Sequence, residues 1–167
     1  MAKKLVYLRS IDVAYFRVTG PRSAAADLAW HKMIDWLEKY DLRNEVERGY
    51  GICQPCSPNG KPGHYDACVA LPPATPEIAR SEVKIRKIPG GAYTRWQHKG
   101  AHSAVQFIIS DLQDCHDEEA TLTFDPTRPT IEIFLNDPAK VPEVKLRTDI
   151  CLPVALQTGT NGKQFAA

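Results

Sequence analysis

Long apolar runs are missing from this 167-residue chain. The longest are a few residues, far short of the roughly 20 that cross a bilayer. The start MAKKLVYLRSID turns polar before a signal-peptide core forms. Both absences speak against a helical membrane protein and lead to the expectation of a cytoplasmic one with no membrane partner. An excess of one charge is missing too: 21 Lys and Arg face 20 Asp and Glu, for a net charge of +1. No bulk field therefore draws the chain to nucleic acid or an acidic membrane. The five cysteines, Cys53, Cys56, Cys68, Cys115 and Cys151, are odd in number and scattered. That argues against a disulfide framework and for reduced thiols. Neither an HExxH motif, a Gly-x-Ser-x-Gly elbow nor a phosphate-binding glycine loop occurs, so ordinary hydrolase and nucleotide chemistries lack support. No helix-turn-helix or basic stripe is visible either. What remains, with 43% hydrophobic and 25% charged residues, is the composition of one globular domain spanning residues 1–167.

Within that domain the sequence repeats itself. Val13-Ala14-Tyr15-Phe16-Arg17 is echoed by Gly91-Ala92-Tyr93-Thr94-Arg95, and each leads through a glycine-containing loop into a helical pattern. Ala26, Trp30, Met33, Ile34 and Leu37 form an apolar stripe whose spacing recurs in Ala101, Val105, Ile108, Ile109 and Leu112. Tyr65-Asp66-Ala67-Cys68-Val69 and Thr148-Asp149-Ile150-Cys151-Leu152 then read as matching closing strands. With middle strands at Gly49 to Cys53 and Thr130 to Leu135, each half reads strand, helix, strand, strand.

Local signals set the boundaries. Gly20-Pro21 stops the first strand, Ser23 can cap the first helix, and Asp27 suits its N-terminal turn. The stretch Gln54 to Gly63, QPCSPNGKPG, is a loop. Leu71 to Pro76 connects the halves. The expected fold is α+β: tandem βαββ repeats about a pseudo-twofold axis, an antiparallel sheet, two main helices and a ligand cleft between the halves. Repeat 1 spans about 4–72, the linker about 73–81, repeat 2 about 82–154 and a C-terminal tail 155–167.

Strand alternation puts Ile131 and Ile133 on one face and Glu132 with Phe134 on the other. If the isoleucines pack under a helix, the opposite face pairs an acid with an aromatic ring. Such a glutamate either faces solvent or lines a pocket. In a pocket it attracts a cation and its pKa rises when the site is empty. Tyr15, Tyr50, Tyr65, Tyr93, Trp96 and Phe134 all lie on expected strands, available either to the core or to hold a flat or cationic ligand. Trp30 belongs to the helix stripe and reads as core, with Trp36 at its flank.

Across nearly the whole chain these residues resemble the GyrI-like family, which includes bacterial DNA gyrase inhibitor proteins and the effector-binding domains of AraC-type and MerR-type transcription activators. The resemblance rests on the order of Val13 to Pro21, Trp36, Tyr65-Asp66-Ala67-Cys68 with Leu71-Pro72, Ile88 to Tyr93, Gln106-Phe107, Leu112-Gln113-Asp114, Ile131 to Asn136 and Asp149 to Pro153. It implies binding of diverse, often cationic aromatic compounds in the cleft, with Glu132 as the family's central glutamate. The family's usual pattern places tyrosine two residues later, where this chain has Phe134, so contact there is apolar or π-type. The implied ligand-binding set is Glu132, Phe134, Trp96, Tyr93, Tyr65 and Tyr15, with no cofactor.

Two other functions follow from the same resemblance. One is inhibition of DNA gyrase by protein contact. The other is hydrolysis of cyclopropane-bearing alkylating natural products, with Glu132 as general base and Trp96 holding the substrate. A separate signal, Cys53-x-x-Cys56 with His64 and Cys68, has zinc-compatible spacing. Cys151 repeats Cys68 without such a cluster, which favours small apolar core residues and no metal. The run His116-Asp117-Glu118-Glu119 reads as a solvated charge cluster.

Overall fold

The computed structural model describes residues 3–114 and 122–156. Cys115, the charge run His116 to Glu119 and residues 157–167 of the expected tail lie outside the described residues. The fold is mixed α+β, and the described residues form nine antiparallel strands in a curled sheet with few helices.

The first strand, β1, runs over Lys4–Leu8, and after Arg9 and Ser10 the chain continues as β2, Ile11–Thr19. β1 pairs with β6, Gly91–Lys99, whereas β2 pairs with β4, His64–Ala70, and β5, Lys84–Ile88. Adding β3 (Gly49–Gln54), β8 (Ile131–Phe134) and β9 (Arg147–Leu156), the order is β1-β6-β9-β8-β3-β4-β2-β5, and β7 (Leu122–Phe124) pairs with β9. β1 and β2 sit near opposite ends of this order yet are two residues apart in the chain. The sheet must therefore curl until its ends approach. Gly90 marks the crossing: a Cβ there would lie 2.6 Å from the Leu8 carbonyl oxygen and from the Ser10 nitrogen. β1, β5 and β7 are additions to the expected strands. Their short, half-exposed sequences carry little alternation, and long-range pairing creates them.

Helix α1 spans Arg22–Lys39, and α3, Val105–Asp114, follows a short 3-10 turn at His102–Ala104. The Ser23 cap does not form. Pro21 is the N-cap residue, its carbonyl accepts the Ala25 N–H at 2.9 Å, and Ser23 and Asp27 lie inside the helix. Proline's fixed φ leads straight from the Gly20 bend into the first turn. The buried stripe of α1 is Ala25, Ala29, Met33, Trp36 and Leu37. The helix is thus rotated from the expected register, and Trp36 rather than Trp30 is the core tryptophan. Its indole N–H donates to the Ala79 carbonyl at 3.0 Å, anchoring the short helix α2, Glu77–Arg80, that ends the connector.

The two faces of the sheet are covered differently. α1 packs on Ala14, Tyr65, Ala67 and Val69, and α3 on Ile150 and Leu152 with Trp96. The other face holds Val13, Ile52, Cys68, Ile88, Tyr93, Ile131, Ile133 and Cys151, a cluster made by strands alone. The alternation of Ile131 and Ile133 against Glu132 and Phe134 is present, but its sense is reversed. The curl buries the isoleucines against other strands, and the helices lie on the side of Glu132. No helix among the described residues is long and apolar enough to cross a membrane.

Candidate functional site

One row of paired residues crosses the helix-bearing face and explains where an opening forms. Trp96 pairs with Ile150, Ile150 with Glu132, Glu132 with Gly51, Gly51 with Ala67, and Ala67 with Phe16. Cross-strand partners point to the same side of a sheet. α3 covers the Trp96 end and α1 the Phe16 end. Glu132 and Gly51 fall between the helices, where no helix among the described residues covers the centre of the sheet.

Aromatic rings fill the space that Gly51 leaves. A Cβ at Gly51 would collide with the Tyr65 hydroxyl and come within 3.2 Å of Phe134 Cε2. Tyr65 accepts a hydrogen bond from the Trp30 indole N–H at 3.1 Å. The Trp30 and Phe134 rings meet edge to face at 5.5 Å, and the His102 ring lies 4.6 Å from that of Phe134. Gly51→Ala is expected to lower stability by about 2 kcal/mol through overpacking. An unchanged urea midpoint in this variant would contradict the close approach.

Glu132 is 1% exposed, and its Oε1 accepts a hydrogen bond from Arg22 Nη2. The Arg22 guanidinium also lies over the Tyr65 ring, 5.5 Å from its centroid. Glu132 Oε2, Arg22 Nε and His102 Nε2 are buried without a hydrogen-bond partner among the described residues. Burial pushes the Glu132 carboxyl above the usual range, with the charge and hydrogen bond of Arg22 opposing it. Burial likewise raises Tyr65 well above an ordinary phenol, reinforced by the charge of Glu132. His102 is lowered, chiefly by burial and then by neighbouring His98, so its imidazole is neutral near pH 7.

A cavity of about 320 Å³ opens above this cluster, at the lower end of the size range of small-molecule sites. Ala26, Trp30 and Ile34 of α1 form one wall, and His102, Ser103 and Gln106 form the facing wall at the start of α3. Phe134 makes the floor, and Val46 to Gly49 with Asn136 to Pro138 complete the rim. Arg22 lines the cavity whereas Glu132 does not, so the guanidinium stands between the carboxylate and the open space. At the rim Arg43 is held by Asp137 at 2.9 and 3.0 Å and by Glu38 at 2.6 Å.

The residues singled out from the sequence are distributed unevenly. Phe134 lines the cavity, and Tyr65 and Glu132 lie just beneath it. Trp96 shares the face of Glu132 but sits two strands away, packed with α3. Tyr15 and Tyr93 fall on the opposite face in the strand-only cluster, where Tyr93 donates its hydroxyl proton to the Pro89 carbonyl at 2.6 Å. They differ from Tyr65 because an odd number of strand steps flips a side chain to the other face. Cys53 pairs with Tyr65 and Cys68 with Tyr50, which puts the two cysteines on opposite faces, and no metal-holding group of three occurs among the described residues. Sequence reasoning missed Arg22, Trp30 and His102 as cavity residues. Only the helical period could have found Trp30, had the stripe been read one residue round.

The model of the GyrI-like small molecule binding domain family matches residues 1–155. No curated protein matches the chain. Among solved structures, that of SAV2435 bound to tetraphenylphosphonium is similar at a TM-score of 0.63 and 16% identity, covering 100% of both chains. A hydrolase from Listeria innocua is similar at 0.57 and 16%, covering 92% of this chain and 91% of that one. The EcmrR chain of an EcmrR–DNA complex is similar at 0.65 and 14%, with 93% of this chain matching 58% of that one. At these identities the likeness concerns the fold.

Proposed function

The chain belongs to the GyrI-like small-molecule-binding domain family, and from that premise we propose that it binds amphipathic aromatic monocations and holds their charge at Glu132. The observation that carries this reading is a buried carboxylate, one oxygen unpartnered among the described residues, beneath a cavity floored and walled by Phe134, Trp30 and His102. Charge supports it as well. Arg22, Arg43 and Arg48 on the wall face Asp27, Glu47 and Asp137, with Glu132 behind Arg22 and Glu38 on Arg43. With His102 neutral, acids outnumber cations around the site. Apolar side chains, among them Ile34, Leu37, Val46 and Val69, favour a ligand whose charge is spread over rings.

The architecture is read as two βαββ units, residues 4–72 and 82–154, joined by a linker at 73–81 and related by a pseudo-twofold axis where β3 meets β8. The cavity then uses α1 from one unit and the start of α3 from the other. The role assigned to the site is sequestration or sensing of the bound compound.

Three probes of similar shape and different charge test this reading: tetraphenylphosphonium, neutral triphenylphosphine oxide and tetraphenylborate. At a hundred times its Kd the phosphonium should stabilise the protein by about 2.7 kcal/mol, a rise in Tm of roughly 5–10 °C. The borate should give none. Equal stabilisation by cation and anion would remove the charge-selective site.

A further inference from the structure

We infer that Arg22 is a built-in substitute for the ligand's cation, occupying Glu132 in the empty protein and setting the selectivity threshold of the site. The inference rests on the proposed cation-binding reading and adds a competitor to it. A cationic aromatic ligand is recognised by a carboxylate and by the face of a ring. The Arg22 guanidinium already makes both contacts: its Nη2 donates to Glu132 Oε1 and its Cζ lies 5.5 Å from the Tyr65 ring centroid.

The fit is incomplete in a way that suits displacement. Glu132 Oε2 and Arg22 Nε are both buried without a hydrogen-bond partner among the described residues. The pair therefore carries the desolvation cost of two charges while satisfying only part of their bonding capacity. Arg22 is also placed to leave. Its side chain is 18% exposed, lines the open cavity and belongs to the first residue of α1, so it can swing towards solvent by side-chain rotation alone. Glu132, 1% exposed in the middle of a paired strand, cannot move away.

Exchange of one cation for another keeps the buried carboxylate neutralised throughout, so the protein never holds a naked charge. It also imposes a selection. A small hydrated cation gains nothing over a tethered guanidinium, which acts at high effective concentration. A bulky cation wins by burying apolar surface against Trp30, Ile34 and Phe134 as it displaces the arginine. Arg22 thus excludes simple amines and favours large delocalised cations.

Tetraphenylphosphonium and tetramethylammonium, titrated calorimetrically into wild type, Arg22→Met, Glu132→Gln and the double variant, test the inference. Methionine keeps the apolar stem and removes the competing charge. Arg22→Met should bind the phosphonium at least about tenfold more tightly, equivalent to 1.4 kcal/mol, and should gain measurable tetramethylammonium binding. In the Glu132→Gln background the Arg22 substitution should give a clearly smaller gain, because there is no carboxylate to contest and only its repulsion of the ligand is relieved. If wild type binds the phosphonium and Arg22→Met binds it equally or more weakly, the substitute-cation role is overturned and the cation-binding reading stands. If neither binds it, both fall. Should Arg22→Met not fold, the Arg22 Nε–H resonance of the wild type decides. Saturation with phosphonium should shift it and speed its exchange with water, and an unmoved signal overturns the inference.

Discussion

Replacing Glu132 by glutamine is expected to weaken tetraphenylphosphonium binding about a hundredfold, within the range of about 2–5 kcal/mol found when one member of a buried charge pair is removed. The substitution is nearly isosteric, so contacts with Phe134 and Trp30 persist and the affinity for triphenylphosphine oxide should stay within about twofold. That contrast isolates charge from shape. Calorimetric affinities for the two probes check it, and a Glu132→Gln protein that binds the phosphonium like wild type would place the ligand's charge elsewhere. The same variant has a pH signature. Burial raises the Glu132 carboxyl above its unfolded value, so the folded state holds this proton longer than the unfolded chain does. Stability contributed at Glu132 is present below the unfolded carboxylate pKa and is lost as pH rises through the folded one. Glu132→Gln removes that fall.

The largest loss of stability is expected at Asp66, away from the cavity. Its carboxylate is fully buried and accepts hydrogen bonds from Arg17 Nε at 2.7 Å, Arg17 Nη2 at 2.9 Å and Arg86 Nη1 at 2.7 Å. These contacts bind β2, β4 and β5 together at one end of the sheet. Asp66→Ala should cost about 3 kcal/mol, the lower end for a broken buried pair, because both arginines are partly exposed and can rehydrate. Burial alone would raise the Asp66 pKa, but the two arginines together outweigh it and hold the carboxyl below its ordinary range. Stability from Asp66 is therefore present above the unfolded carboxylate pKa, about 3.9, and is lost as pH falls through the lower folded value. Urea midpoints of the wild type should drop on acidification below about pH 4. Asp66→Asn should start lower and show a shallower drop, and parallel curves for the two proteins would refute the assignment.

Asp66 and Glu132 respond to pH in opposite directions although both are acids on central strands. The difference lies in their partners. Two guanidinium groups satisfy both oxygens of Asp66, whereas one guanidinium reaches one oxygen of Glu132. A well-paired carboxylate is a structural element, and a half-paired one beside a cavity retains capacity for a ligand.

Much of this was legible in the residues. Alternation in Ile131-Glu132-Ile133-Phe134, the bend at Gly20-Pro21 and the apolar stripe of Val105, Ile108, Ile109 and Leu112 arise between near neighbours, and the strands and helices follow them. Glu132 and Phe134 share a face because successive strand residues point to opposite sides. Two expectations went astray for one reason. Trp30 and Trp36 are both compatible with an amphipathic helix, and the choice depends on which side α1 turns to Tyr65 and Ala79. Likewise, alternation separates Ile131 from Glu132 without saying which face the helices cover.

The sequence by itself therefore determined the order of the main elements, the absence of a strong charge bias and the pairing of acid with aromatic ring on one strand face. The tertiary structure alone decided that the curled sheet buries the isoleucines on itself, that Trp30 walls a cavity, and that Arg22 answers Glu132 from 110 residues away. Local patterns report each residue's relation to its chain neighbours. Which groups meet across a sheet is set by chain closure and burial, and that information resides in no short stretch of sequence.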